Sequence, residues 1–108
     1  ERQKALRRID EYKAKERRLQ ARLRAKVDVA EFVSLGKREA WIAAETAWRE
    51  MRSEKEIDNR MQSLRTKLND AEARLEFLRV KGKKPGDKDV DETSDWAMTL
   101  KDSIALYA

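Results

Sequence analysis

Along the middle of the chain, apolar residues recur at steps of 4, 3, 4, 3, 4 and 3: Ile57, Met61, Leu64, Leu68, Ala71, Leu75 and Leu78. Alternating steps of this kind return to one side of a helix and draw a narrow stripe, which a helix buries against another helix. No Gly or Pro interrupts Lys37 to Lys81, and Leu, Met, Arg, Lys and Glu are good helix formers. The pattern predicts a long helix over 37–80 with an assembly seam in its second half. With Met61, Leu68 and Leu75 at a, the g positions hold Arg60, Lys67 and Arg74, and the e positions hold Arg65, Glu72 and Arg79. In a parallel homodimer two of these three e–g pairs would repel. An antiparallel or different neighbour fits better, since these charges help set partner and orientation.

The first half of this stretch has another apolar face. Trp41, Ala44, Trp48 and Met51 step 3, 4 and 3, but at about 100° per residue they lie roughly opposite the later seam. Either one continuous helix uses different partners along its length, or it breaks at Ser53, where Ser53-Glu54-Lys55-Glu56 has the form of a capping box. Continuity is the simpler expectation, because charged helices match that pattern often by chance. On either reading, one partner helix is not expected to cover both faces.

Upstream, Ala5, Ile9, Tyr12, Leu19, Leu23, Val27 and Ala30 share one side of a first helix over 1–35, with Glu16 the one charged intruder. Gly36 suits the left-handed position that ends a helix. The expected fold is all-α: an antiparallel helical hairpin or coiled coil with a turn near Gly36. An unbroken helix to Val80, about 120 Å long, is the alternative. In the hairpin, Arg17 to Lys26 would run beside Glu45, Glu50, Glu54 and Glu56, and Leu23 would fall near Arg49. Its core would be Ile9, Tyr12, Leu19, Leu23, Trp41, Trp48 and Met51, with the two Trp over the face from Leu19 to Ala30.

Lys81 to Thr93 contains Gly82, Pro85, Gly86 and several Asp, and reads as a linker over 81–93. Gly82-Lys83-Lys84 lacks the Gly spacing and the Ser or Thr of a phosphate loop. A short third helix follows over 94–107, with Ser94 as its N-cap and Trp96, Leu100, Ile104 and Tyr107 on its docking face. So short a helix is marginal alone, and the natural berth for it is the seam from Leu64 to Leu78.

Composition narrows the function. The chain has 108 residues, 44% of them charged, with three Gly and one Pro. This suits a single helical module, expected to be a region of a larger protein, with a thin core. The absence of Cys and His removes thiolate and imidazole metal sites, disulfides and histidine acid–base chemistry. No cofactor or metal is expected, and no enzyme. No apolar run reaches membrane-spanning length. With no disulfide scaffold in view, an intracellular setting, cytoplasmic or nuclear, is the working expectation.

The net charge is +5, and it is uneven. Glu1 to Lys26 holds eleven Lys or Arg against four acids, a local +7, which leaves −2 for the rest. Within that segment Lys4, Arg7, Arg8, Lys15, Arg18, Arg22 and Lys26 share about 100° of arc with only Glu11 among them. A solvated face pairing with local acids is the simpler account. Contact with a polyanion, chiefly nucleic acid, is the alternative. The sequence therefore points first to a structural or assembly module acting on a protein partner or on a second copy, with a dimer favoured. A basic-helix nucleic-acid binder is the second reading.

Overall fold

The computed structural model describes residues 2–108 and is all-helical, with no strand among the described residues. It has four helices: α1 Arg2–Ser34, α2 Lys37–Glu50, α3 Glu54–Val80 and α4 Lys88–Tyr107. None is long and apolar enough to cross a membrane. The helices pack as a bundle, and the boundaries differ from those expected in two places.

The first difference is a break. The predicted helix over 37–80 stops at Met51 (φ −107°, ψ 6°) and restarts at Ser53, whose hydroxyl accepts from the Glu56 N–H at 3.4 Å. The capping-box reading is the correct one, and the physical reason lies in the change of face. A break lets both apolar faces turn to one core. Trp41 and Trp48 pack edge-on to Trp96 and Tyr107 of α4, with ring centroids 4.8 and 5.9 Å apart. Leu64 and Ala71 of α3 share the core cluster with Trp96, Ala97 and Leu100 of α4. One helix, α4, covers both faces.

The second difference is the start of α4. It begins at Lys88, six residues before the expected Ser94, and the linker shrinks to 81–87. Asp87 occupies the N-cap position, and its carboxylate accepts from the Lys84 N–H at 2.9 Å, while Asp91 accepts from Gly86 at 3.0 Å. Asp89 and Asp91 lie in the first turn, where negative charge suits the helix dipole. Acids that made the segment look like loop are what start the helix. The docking face is as expected at Trp96, Leu100 and Tyr107, which are buried, and at Ile104, which is half-buried. Thr93, Thr99 and Ser103 join it fully buried, each hydroxyl donating to the carbonyl four residues back at 2.7–2.8 Å.

Gly36 ends α1 in the left-handed region (φ +94°), with its N–H on the Val33 carbonyl at 3.2 Å. It does not fold α2 back along α1. Arg38 meets Asp102, Trp41 donates to Ser103 at 3.0 Å, and Glu45 meets Tyr107, so α2 follows the end of α4 in the same direction. The chain reverses at Met51 to Ser53, across which Glu45 faces Arg60. α1 instead runs against α3 in the opposite sense, through Arg22 on Phe77, Arg24 on Asp70 and Asp28 on Lys67. The expected register, Leu23 near Arg49 and basic residues beside Glu45 to Glu56, is thereby replaced.

Candidate interaction surface

The seam from Ile57 to Leu78 is spent inside the molecule. Leu64, Ala71 and Leu78 are buried, and Ile57, Met61, Leu68 and Leu75 are partly buried against the same core. α1 and α4 cover it. The seam holds this chain together and is not an open face for another molecule.

The face that stays open belongs to α1. The side of α1 turned to the bundle carries Ala25, Val29 and Phe32, all buried, with Ala14 and Ala21 half-buried on the same line. At about 100° per residue, Leu19, Leu23 and Val27 point roughly half a turn away. They are 47, 53 and 67% exposed, and Ile9 and Tyr12 continue the row outward at 49 and 72%. The hairpin core expected from Ile9, Tyr12, Leu19, Leu23 and Met51 therefore does not form. Only Trp41 and Trp48 of that set reach the core, on α4 and not on α1. Ala25, with Val29 and Phe32, takes the buried side instead, and two ion pairs tie α1 to α3. Arg24 donates to both oxygens of Asp70 at 3.1 Å, and Lys67 reaches Asp28 at 3.4 Å. Asp70 is 6% exposed, so a forked guanidinium is its required partner.

Between the outward face and α3 runs an open groove of about 470 Å³, lined by Leu23, Val27, Ser63 and Thr66 with the Arg24–Asp70 and Lys67–Asp28 pairs at its floor and edge. It continues the outward row of α1 towards α3.

Of the predicted basic stripe, Lys4, Arg7, Arg8, Lys15, Arg18 and Lys26 are exposed. None of them forms an ion pair among the described residues, where six pairs exist elsewhere. The account in which the stripe is neutralised by local acids is not what the side chains do. Arg22 is different: it is half-buried with its guanidinium 4.1 Å from the Phe77 ring centroid, a cation–π contact that ties it to the fold.

A second polar cluster lies inside the bundle, and the sequence did not announce it. Glu45 is 4% exposed. Arg60 donates to it through Nε at 3.1 Å, and the Tyr107 hydroxyl donates both to its carboxylate and to its backbone carbonyl at 3.2 Å. Burial, with the Glu45 carboxylate beside it, pushes the Tyr107 hydroxyl well above the ordinary tyrosine range. A shallow pocket of about 230 Å³ lined by Leu35, Ala40, Trp41, Ala44 and Trp48 borders Glu45 and Arg60, but the carboxylate is already bonded to Arg60 and Tyr107, so the chemistry of the cluster is that of a clamp joining α2, α3 and α4. The signal in the sequence was the pairing of a core-spaced Tyr107 with an acid on the Trp41–Trp48 side. Among the described residues no group of His, Cys, Asp and Glu could hold a metal ion.

The molecule is thus an all-α bundle carrying one basic helix whose apolar row faces outward. The chain matches no protein-family profile, no curated protein and no solved structure.

Proposed function

We propose that this chain is a structural assembly module that mediates protein–protein interaction, with the outward face of α1 as its docking surface. The observation that supports the reading is the inversion of α1. Ile9, Tyr12, Leu19, Leu23 and Val27 are exposed on one side, while Ala25, Val29 and Phe32 are buried on the other. A row of large apolar residues at near-heptad spacing is the surface of a coiled-coil helix awaiting a neighbour. Oligomerisation through this face, or pairing with a helix of another protein, is the work proposed, and no catalytic role is part of it. The α3 seam, which first suggested self-assembly, contributes by holding the bundle together.

Light scattering after size exclusion, at about 150 and about 500 mM salt where screening differs, combined with titration of coiled-coil peptides, tests the reading. Association with a second copy or with a helix, lost in the Leu19→Asp, Leu23→Asp double variant, is the expected result. A chain that stays monomeric and engages no helix overturns it.

Nucleic-acid binding is the second reading, favoured by Lys4, Arg7, Arg8, Lys15, Arg18 and Lys26, which form no ion pair among the described residues. Its mark would be an affinity that falls steeply with salt and that ignores Leu19 and Leu23.

A further inference from the structure

We infer that the occupant of the α1 face is an acidic amphipathic helix, pairing with α1 over about three heptads. The inference rests on the proposed function and names the partner chemistry for the same surface.

Two features have to be met by one ligand. The first is the apolar row from Ala5 to Val27, about 33 Å long at the helical rise and exposed throughout. The second is the charge that borders it. On one side of the row stand Arg8, Lys15 and Lys26, and on the other Lys13 and Arg17, all exposed. None of these five is in an ion pair among the described residues. A helix with apolar residues at a and d and carboxylates at e and g satisfies both at once, because flanking charges of opposite sign set partner choice in such pairs.

The alternatives fit less of the surface. A second copy would lay one +7 segment along another and bring like charges together on both flanks. A nucleic acid would engage the cations and leave the apolar row in water. An anionic bilayer would use both features, but an interfacial helix carries a broad, aromatic-rich apolar side. Here the row is narrow, Tyr12 is its one aromatic, and Glu16 stands in its middle, where acyl chains would desolvate a carboxylate. In a helix pair Glu16 needs only one basic residue opposite.

The arm is also built for ordering on contact. From Arg2 to Lys13 every residue of α1 is exposed, so this part has no tertiary packing of its own. A helical segment of that length is marginal in water without packing. An opposing helix would supply it.

The test uses the full chain and a synthetic three-heptad peptide with Leu at a and d, except one Lys at the core position opposite Glu16, and Glu at e and g. The same peptide with Lys at e and g, a duplex DNA and phosphatidylserine vesicles serve as comparators. Fluorescence anisotropy should show the Glu peptide binding at least 10-fold tighter than the Lys peptide. The exposed-site variant Leu19→Asp with Leu23→Asp should lose at least 10-fold while keeping its circular dichroism. Lys13→Gln with Arg17→Gln should weaken binding and flatten its salt dependence. Hydrogen exchange of Arg2 to Leu19 should slow on binding the Glu peptide. Equal binding of the Glu and Lys peptides, or binding indifferent to the Leu19 and Leu23 changes, overturns the inference. So does preferential binding of DNA or vesicles. Self-association through Leu19 and Leu23 with no response to the Glu peptide also overturns it while leaving the assembly reading intact, and silence from every partner removes both.

Discussion

Arg60→Met is the substitution that most directly measures the internal clamp. It keeps most of the apolar stem and removes the charge that faces Glu45. Glu45 is 4% exposed, whereas the Arg60 side chain is 28% exposed, so the carboxylate bears most of the loss. Its charge would be left with the Tyr107 hydroxyl alone. Breaking a fully buried pair costs about 3–5 kcal/mol, and the residual exposure of Arg60 brings the expected loss to about 2–4 kcal/mol. At about 4 °C per kcal/mol for a domain of this size, Tm should fall by roughly 8–16 °C. Pairing the change with Glu45→Leu should recover most of that, because removing both charges is often near neutral and Tyr107 keeps the backbone carbonyl of residue 45 at 3.2 Å. Urea unfolding followed by circular dichroism gives the four corners of the cycle. A loss below about 1 kcal/mol for Arg60→Met, or a double variant weaker than the single, would refute the clamp as an energetic unit.

Further outcomes follow from the packing. Leu64→Ala should cost about 2–5 kcal/mol by opening a cavity at a fully buried site, whereas Leu19→Ala should stay within about 0.5 kcal/mol; thermal melts separate the two. Gly36→Ala should cost about 1–2 kcal/mol from the left-handed backbone alone, since an added Cβ would lie 3.8 Å from its nearest neighbour, Ala40, and Gly36→Asn should lose less; chemical denaturation reads both. Tyr107 has a folded-state pKa above its unfolded value of about 10, so the folded state favours the protonated hydroxyl. Its contribution is complete below pH ~10 and declines as pH rises above that, and Tyr107→Phe should flatten that part of the alkaline stability profile.

Periodicity marks the stripe of α3 and the face of α4 that are buried here, but not the break at Met51 or the covering of the stripe by the chain's own helices, because large aliphatics at heptad steps fix a buried stripe and not what covers it. It misreads α1. Leu19, Leu23 and Val27 outweigh Ala21 and Ala25 on any scale of burial by size, yet the side of α1 that is buried carries Ala25 with Val29 and Phe32. What orients α1 here is Arg24 reaching Asp70 across 46 residues of sequence, a long-range contact with no local trace. The break at Ser53 was visible as a capping box. What tipped the outcome was the orientation of two apolar faces towards one helix, which depends on where α4 lies. α4 itself was shortened in the reading because Lys88 to Asp91 resembles linker composition, while Asp87 and its neighbours act as a start signal only once the Pro85-Gly86 turn has placed them.

The placement of the aromatic residues divides the molecule optically. All three Trp sit where α2 meets α4, with Trp41 and Trp96 at 4.8 Å and nearly perpendicular, and Phe32 5.1 Å from Trp96. The projecting part of α1 holds Tyr12 as its single aromatic. Indole emission, and near-ultraviolet dichroism at the red edge where tryptophan alone absorbs, therefore track the bundle and are blind to the arm, while far-ultraviolet dichroism counts both. Melting curves recorded in the two regions should separate wherever α1 frays before the bundle does, and they should merge once a ligand holds the arm. The chain carries its own two-channel reporter, and no label has to be attached to the surface under study.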